Sequence, residues 1–284
     1  MRAVEEHGLS LDERVETDRD LVRALAFRLL GSVSGADAAV AEASRRTGDV
    51  DSLIRSTAAA CLDALRSREV PEWHVPDVVV SRLTGHAADQ TALLDGTVGV
   101  PLFVALDQLT PEQRVAFVLH ERCGLPLGEI GAVVGTTEDG AGALVAGALE
   151  RLRTVPVIDG DLAAQRKVVQ AYYRAASRGD LDALRELVDE TIVLRSDAGA
   201  HAFSMVATGV EAVARRMVVF NQIRARGLPA LVNGAAGGVV LNHGAVICVV
   251  AMTVVGDRIA EADVLFDPNR LAAMDLSAFL TEDL

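Results

Sequence analysis

Few side chains in this sequence have both the type and the spacing that catalysis needs. Asp197 and His201 lie four residues apart and combine a carboxylate with an imidazole, a pair that can transfer protons. Asp263 is a third candidate acid, on the last predicted strand. The simpler interpretation is that Asp197 caps a turn and that His201 lies on a solvated rim. We therefore assign no catalytic residue and keep these three as candidates.

Other familiar chemical sites are missing from the sequence. The three cysteines, Cys61, Cys123 and Cys248, are far apart and odd in number, which fits neither a metal pair nor a disulfide framework, so we expect ordinary buried residues. The remaining histidines have no partner at metal-ligand spacing. No phosphate-binding loop, dinucleotide fingerprint or nucleophile elbow occurs. We therefore expect no metal and no cofactor.

The charge and hydropathy of the chain limit its partners. The net charge is −13, and a single lysine, Lys167, occurs among the basic residues. Residues 14–69 carry nine acidic and nine basic side chains, and residues 100–159 carry eight acidic and four basic ones. A polyanion repels such a protein unless its positive charges are concentrated, and no segment is a basic patch. The acidic N-terminus has no signal-peptide pattern. No apolar run free of charges and glycines reaches the ~18–20 residues of a membrane span. We therefore expect a cytoplasmic protein.

Two helical regions must position any interaction surface in the first half of the chain. Leucines at helical spacing predict a helical domain over residues 1–69, and prolines and glycines predict a linker over residues 70–100. Residues 101–155 are again helical. Thr110, followed by a proline and a glutamate, is a strong helix start. Two further helices follow glycine turns, the last from Glu138 to Arg153, which is the helix-turn-helix plan.

The pattern changes in residues 160–284. An amphipathic helical stretch is broken at Gly179–Asp180, and valine-rich segments then alternate with glycine turns, as in an antiparallel sheet. The segment GAAGGVV is interpreted as a hairpin turn between two strands. A helical hairpin followed by a curved sheet predicts an α+β cone with a pocket between helix and sheet.

The order of these blocks resembles sigma factors of the extracytoplasmic-function (ECF) type that carry a SnoaL-like C-terminal domain. Region 4 of that family is similar to LDQLTPEQRVAFVLHERCGLPLGEIGAVVG. Region 2 is similar to LVRALAFRLLGSVSGADAAVAEASRR and to AACLDALRS. The SnoaL-like extension is similar to RGDLDALRELVDETIVLRSDAGA, VNGAAGGVV and DPNRL. The resemblance implies an all-α N-terminal half, formed by region 2 helices and a region 4 helix-turn-helix, followed by an α+β SnoaL-like cone with a curved antiparallel sheet.

The resemblance also implies functions for four sets of residues. The residues expected to meet core RNA polymerase are Asp37, Val40, Glu42 and Arg45. The residues expected to meet promoter DNA are Thr136, Thr137, Arg151 and Arg153. The residues expected to join the linker and the C-terminal domain are Trp73, Pro76, Asp267, Pro268 and Arg270. The residues expected to line the cone's pocket, beside the candidate acids and base, are Tyr172, Tyr173, Phe220 and Asn233.

The DNA-reading helix departs from the family pattern. It reads TTEDGAGALVAGALERLR, with no positive charge before Arg151 and with Glu138 and Asp139 at the end that would enter the groove. Groove entry needs phosphate contacts and base-reading arginine or lysine side chains. Glycines inside a helix each cost about 1 kcal/mol relative to alanine. We therefore predict weak or absent binding of promoter DNA.

Region 2 departs in the same direction. The stretch from Gly35 to Glu42 keeps two acids where the family has three or four. Promoter melting relies on aromatic stacking, yet Phe27 is the only aromatic residue before Trp73 and has a core-like spacing.

Three hypotheses follow from these observations. The first is a sigma-type transcription protein that binds core RNA polymerase and whose cone controls its activity by packing on the linker. The second is a repurposed protein whose helical half is a scaffold, while the cone binds or converts a small hydrophobic molecule by acid–base chemistry. The third is a regulator that occupies core polymerase without opening promoters. SnoaL-like domains often pair through their sheets, so a homodimer is left open.

Overall fold

The computed structural model describes residues 11–46, 50–82, 100–153, 161–199, 204–213, 215–216 and 225–280. The chain divides into two compact units, one of residues 1–68 with 110–149 and one of residues 69–109 with 150–284. The helices are α1 (Leu11–Leu30), α2 (Val33–Ser44), α3 (Val50–Arg66), α4 (Val100–Leu106), α5 (Pro111–Cys123), α6 (Leu127–Val134), α7 (Glu138–Leu152), α8 (Leu162–Arg178), α9 (Leu181–Leu187), α10 (Pro268–Ala272) and α11 (Ser277–Leu280). The strands are β1 (Val80–Arg82), β2 (Val188–Asp197), β3 (Met205–Thr208), β4 (Arg226–Val232), β5 (Ala235–Asn242), β6 (Ala245–Val255) and β7 (Arg258–Leu265).

The first unit is helical and contains the first predicted helical region and residues 110–149 of the second, whose two ends belong to the other unit. Helices α1, α2 and α3 pack on one another, and α3 also packs on α5 and α6. Phe27 and Leu29 of α1 are fully buried, which confirms Phe27 as a core residue. Cys61 is buried on α3, and Cys123 is half-buried at the end of α5. The helices that resemble region 2 and those that resemble region 4 thus pack against each other within this unit.

The predicted start and end of α5 are confirmed. The Thr110 hydroxyl accepts a hydrogen bond from the Gln113 amide at 3.2 Å, and the Gln113 side chain accepts one from the Thr110 amide at 3.2 Å. This reciprocal cap pairs two of the backbone donors that every helix start leaves without a partner. Gly124 ends α5 with a φ of 61°, in the left-handed region that favours glycine.

The second unit is a sheet covered on both faces. The described strands lie in the order β1-β4-β5-β6-β7-β2-β3. One face carries an apolar cluster with α8 and α9, which contribute Val169 and Leu184. The other face carries a cluster formed with linker residues, α4 and the C-terminal segment, represented by Val75, Val100 and Phe279. A helical first half followed by an α+β domain is the fold class that the sequence predicts.

Three details differ from the sequence prediction. Strands β2 and β7 pair in parallel, whereas the other pairs are antiparallel. Residues 80–82, inside the predicted linker, form strand β1 on the edge of the sheet. The hairpin turn lies at Asn233–Gly234 and takes only the first glycine of GAAGGVV, whereas Gly237 and Gly238 belong to strand β5 itself. A Cβ on Gly237 would lie 2.4 Å from the Val250 carbonyl oxygen, so this glycine serves a close backbone approach and not a turn.

Candidate functional site

The helix-turn-helix is set by a tight glycine contact between α6 and α7. A Cβ on Gly131 would lie 2.8 Å from the carbonyl oxygen of Thr136 and 3.0 Å from that of Thr137. Gly135 ends α6 with a φ of 79°. The Thr137 hydroxyl then accepts a hydrogen bond from the Gly140 amide at 3.2 Å, which begins α7. The turn before α7 therefore packs directly on the backbone of α6 at Gly131, and the Leu127 side chain of α6 lies beside Gly142 of α7.

The solvent face of α7 has no positive charge along most of its length. Its inner face buries Ala141, Val145 and Ala148. The residues exposed before its last turn are small, apolar or acidic, namely Glu138, Asp139, Ala143, Ala146, Leu149 and Glu150. Thr136 and Thr137 are also exposed in the preceding turn. The surface that would face a DNA groove thus carries carboxylates where phosphate contacts require cations.

The two arginines predicted to bind DNA each contact another residue of this protein. Arg151 donates to the Gln108 carbonyl oxygen at 3.2 Å. Arg153 forms an ion pair with Glu150 at 3.1 Å, one helical turn away. Both arginines are exposed at the C-terminal end of α7, whereas Thr136 and Thr137 precede its start. The structure therefore does not bring these four predicted residues together as a cationic surface.

The residues predicted to meet polymerase lie on or beside α2, and three of them are in surface ion pairs. Asp37 is hydrogen-bonded to Arg23, and Glu42 to Arg45. The Asp37 and Glu42 side chains are 52% and 40% exposed, whereas Val40 is buried. Exposed ion pairs contribute at most about 1 kcal/mol, so a partner protein can exchange them.

A buried charge network, which we call the linker dock, holds the linker on the sheet. Its centre is Asp197, the last residue of β2, whose side chain is 2% exposed. The Asp197 Oδ2 accepts a hydrogen bond from the Val75 amide at 3.0 Å and one from the Arg270 guanidinium at 2.8 Å. The Nδ1 of His74 lies 3.2 Å from the same oxygen. Arg270 also donates to Asp77 at 2.8 Å, which closes the network.

The electrostatics of the linker dock favour an ionised Asp197. Burial of this carboxyl raises its pKa, but hydrogen bonds from His74 and from the Val75 and Gly199 amides, with the Arg270 charge, lower its pKa to about 2. The carboxylate stays charged at neutral pH and compensates Arg270.

Two further contacts complete the linker dock. The side-chain oxygen of Asn233 accepts a hydrogen bond from the backbone amide of Val79 at 2.8 Å. The backbone amide of Asn233 donates one to the Val79 carbonyl oxygen at 2.9 Å. Asp267 caps α10, which carries Arg270, by accepting from the Asn269 amide at 2.8 Å. Pro76 is buried and Trp73 is half-buried in the docked linker segment. Asn233, predicted to line the pocket, thus contacts the linker.

The candidate acids do not share the cone's cavity. Side chains alternate across a strand, and Leu194, Ala262 and Val264 face the cavity beneath α8, so Asp197 and Asp263 point to the opposite face. Asp263 is buried and accepts a hydrogen bond from Arg195 at 2.9 Å. Burial raises the pKa of Asp263 to about 6, against the attraction of Arg195. Tyr172 and Tyr173 do line the cavity, whereas His201 and Phe220 lie outside the described residues.

The resemblance predicted Arg270 at this junction, but sequence reasoning missed Asp197, His74 and Asp77 as members of the linker dock, because the segments that carry them are far apart in the chain. Val75 and Arg270 are 122 and 73 positions from Asp197. Neither His74 nor Asp77 has a sequence pattern around it that would have indicated a function.

Among the described residues, no helix is long and apolar enough to cross a membrane. In the same part of the chain no cluster of His, Cys, Asp and Glu has the arrangement to hold a metal ion.

A three-helix region, a helix-turn-helix and an α+β domain, in this order along the chain, define a sigma-type class of transcription protein. The family model for region 4 of sigma-70 matches residues 101–152. The probable ECF RNA polymerase sigma factor SigI of Mycobacterium tuberculosis is 35% identical over 192 residues, which cover 61% of this chain and 65% of SigI. The match therefore spans just under two thirds of that relative's length.

A second relative is matched over more of its length. The ECF RNA polymerase sigma factor SigJ of Mycobacterium tuberculosis is 32% identical over 247 residues, which cover 78% of each protein. The crystal structure of SigJ superposes with a TM-score of 0.76 at 25% identity, covering 93% of this chain and 99% of that chain. This protein belongs to the family of ECF RNA polymerase sigma factors.

Proposed function

We propose that this protein binds core RNA polymerase as a sigma-type factor and holds promoter DNA weakly or not at all. Polymerase binding is supported by membership of the ECF family and by the exposure of the predicted contact acids on α2. The residues proposed for this contact are Asp37, Val40, Glu42 and Arg45.

The solvent face of α7 is the observation that carries the proposal on DNA. A helix N-terminus attracts phosphate through its backbone dipole, equivalent to roughly half a positive charge. Glu138 and Asp139 stand exposed at that end of α7 and outweigh this attraction. Each phosphate contact adds about 0.9 to the slope of affinity against salt on logarithmic axes. We therefore expect a DNA affinity that is low and depends little on salt.

The linker dock supports a regulatory function for the C-terminal unit. The linker joins the region 2 helices to the region 4 helices in the chain, and it lies along the sheet from His74 to β1. We propose that Trp73, Pro76, Asp267, Pro268 and Arg270 hold the linker in this docked state, and that release of the linker changes polymerase or promoter binding.

The experiment is a pull-down with purified core RNA polymerase beside a DNA-shift assay over a salt series. Co-elution with core polymerase and no shift below micromolar protein is the expected result. A charge reversal, Glu42→Arg, should reduce co-elution, and Asp63→Arg is the matched control because the Asp63 side chain is 79% exposed on α3. A nanomolar promoter footprint by the unaltered protein with polymerase would contradict weak DNA binding. Failure to co-elute would contradict polymerase binding and favour a scaffold function for the helical unit.

A further inference from the structure

The outer face of α8 carries positive charge on an otherwise acidic protein. The whole chain has 40 acidic and 27 basic residues, yet α8 has four basic residues and no acidic one across its 17 positions. Three of the four, Lys167, Arg174 and Arg178, are exposed. Because a helix turns about 100° per residue, these three lie within about 40° of one another around the helix axis. We call this surface, formed by Lys167, Arg174 and Arg178, the α8 stripe.

The charge of the α8 stripe is not neutralised within the described residues. There, no carboxylate forms an ion pair with any of its three side chains. The two carboxylates that flank α8 cap helices instead. Asp161 accepts a hydrogen bond from the Ala163 amide at 2.9 Å, and Asp180 accepts one from the Ala183 amide at 3.1 Å. The positive charge therefore remains available to a partner.

The stability of α8 itself does not explain the stripe. The helix dipole favours cations only in the last turn. Arg178, the last residue of α8, meets that condition, whereas Lys167 lies in the second turn, near the end where the dipole disfavours a cation. Surface helices also gain stability from acid–base pairs three or four positions apart, and α8 has no acid to form one. Lys167 thus adds no electrostatic stabilisation to its own helix.

The neighbours of the stripe indicate the chemistry of its partner. Gln170 and Ser177 are exposed beside it, and along α8, which is described throughout, no large apolar side chain is exposed. The centres of protein–protein interfaces are rich in aromatic and apolar groups, which this face lacks. Phosphate oxygens are instead bound by arginine, lysine, serine and glutamine side chains. The face therefore suits a phosphate backbone better than an acidic protein.

The dimensions of the stripe also suit a duplex. Lys167 and Arg178 lie at the two ends of the stripe, about 16 Å apart along the helix axis at 1.5 Å per residue. A duplex carries one negative charge per ~1.7 Å of its axis, so this length offers about nine phosphates to the three cations. Arg216 is exposed and borders the same cavity as Ser177, which puts a fourth cation near one end of the stripe.

We propose that the α8 stripe binds the phosphate backbone of duplex DNA without reading its sequence. Three phosphate contacts give a slope of about 2.7 for affinity against salt on logarithmic axes, and non-specific binding of this kind has dissociation constants above about a micromolar. This weak contact agrees with the low affinity expected from α7. It goes beyond the proposed function because it places the DNA contact on the C-terminal unit, and it does not depend on polymerase binding.

The test follows a labelled duplex of arbitrary sequence and the full chain by fluorescence anisotropy. Between about 50 and 200 mM salt the unaltered protein should lose affinity about fortyfold, the effect of three phosphate contacts. The triple variant Lys167→Gln, Arg174→Gln and Arg178→Gln should bind at least about tenfold more weakly at the lower salt concentration and should lose most of its salt dependence. Glutamine has a helix propensity close to those of lysine and arginine, so the Tm of this variant should be unchanged.

A matched control removes the same charge elsewhere in the second unit. Arg185→Gln, Arg226→Gln and Arg258→Gln together replace three arginines outside α8, of which Arg226 and Arg258 are exposed and Arg185 has a side chain that is 39% exposed. Because salt screens distant charges, this control should lower the affinity by no more than about twofold.

Three results would overturn the proposal. One is an equal salt slope in the unaltered protein and in the α8 variant, and another is the absence of duplex binding at about 100 µM protein in low salt. The third tests an acidic protein as the partner: a labelled poly-glutamate peptide that binds more tightly than the duplex and is lost in the α8 variant. Co-elution with core polymerase should be the same for the unaltered protein and the α8 variant, so a failure of polymerase binding would be a separate result.

Discussion

The solvent face of α7 and the linker dock use charge in opposite ways. Along α7 the charged groups are exposed and mostly acidic, and Glu150 is paired with Arg153 just beyond the end of the helix. In the linker dock a carboxylate that is 2% exposed and an arginine that is 21% exposed are joined by hydrogen bonds to the linker backbone and to Asp77. Exposed pairs contribute little, whereas breaking a buried pair is costly. The strongest electrostatic contacts of the two regions therefore hold the linker, which agrees with the proposal that α7 holds DNA weakly.

The largest expected effect comes from breaking the linker dock. Asp197→Ala leaves the Arg270 charge, the Val75 amide and His74 without their shared acceptor. We expect a loss of about 3–5 kcal/mol in the free energy of unfolding, the usual cost of leaving one member of a buried ion pair alone. Urea unfolding followed by the fluorescence of Trp73, the only tryptophan in the chain, measures it directly in the linker.

A matched control is Asp257→Ala, an exposed carboxylate in the turn between β6 and β7. Its cost should stay within about 0.5 kcal/mol. Equal losses in the two variants would show that the linker dock contributes no more than a surface charge.

The second effect is a pH dependence at Asp263. Its pKa is about 6 in the folded protein and about 3.9 in an unfolded chain, so the folded state binds this proton more tightly. The group stabilises the fold below pH ~4, and this contribution, about 3 kcal/mol in all, is lost as the pH rises through 6, with about 2 kcal/mol of it lost between pH 4.5 and 7.5. Unfolding of the unaltered protein and of Asp263→Asn at pH 4.5 and 7.5 should differ by about that amount.

Asp197 does not disturb this measurement. Because its folded pKa is lowered to about 2, its contribution is complete above pH ~4 and is lost only as the pH falls toward 2. If Asp263→Asn shows the same change between pH 4.5 and 7.5 as the unaltered protein, the ion pair with Arg195 already stabilises the ionised form of Asp263 against burial and the like charge of Glu261.

The third effect is expected when α7 is given positive charge. Arginines at Ala143 and Ala146, both exposed, should raise the affinity for duplex DNA about tenfold at low salt and steepen the salt slope by about two. These sites suit the test better than Gly147, where a Cβ would lie 2.9 Å from the Gln113 side chain. Fluorescence anisotropy with a labelled duplex measures both quantities.

Glutamines at Ala143 and Ala146 are the neutral control for length and helix propensity. They should leave both the affinity and the salt slope unchanged. An arginine variant that binds no better than this control would mean that α7 does not reach the duplex, and that its missing charge is not what limits binding.

The smallest effect is expected at an exposed ion pair between α3 and α6. Arg55 donates to Glu129 at 3.0 Å, and both side chains are more than 40% exposed. Glu129→Gln should cost no more than about 0.5 kcal/mol, since solvent screens such pairs. Thermal unfolding in low and high salt measures this cost. A loss of stability above about 2 kcal/mol would mean that this exposed pair contributes as much as a buried pair such as that of the linker dock.

Much of the helical unit could be predicted because its signals are local. The cap at Thr110 involves residues three positions apart, and Gly124 and Gly135 end their helices through their own backbone conformation. The face of α7 that meets solvent follows from the helical period. Its lack of positive charge is a property of residue identity, so it could be predicted before any fold was known.

The sheet unit shows where that reasoning ends. The sequence marked Asp197, Asp263 and Asn233 as polar residues near a pocket, but which face of a strand each occupies depends on register. The β2–β7 pairing is parallel, which no local pattern of alternation predicts. No sequence pattern indicated that Gly227 and Gly238 contact Tyr173. Only the packing of α8 on the sheet places that ring against them.

The sequence alone determined the order of the domains, the helix boundaries and the absence of positive charge on α7, because these depend on residues within one or two helical turns. Only the tertiary structure decided that Asp197 anchors the linker and that the side chain of Tyr173 packs against Gly227 and Gly238. Those facts depend on chain segments 50 to 120 positions apart. Their contact forms only when the hydrophobic faces of linker, sheet and α8 are buried together, and burial, unlike a cap or a turn, is a property of the whole unit.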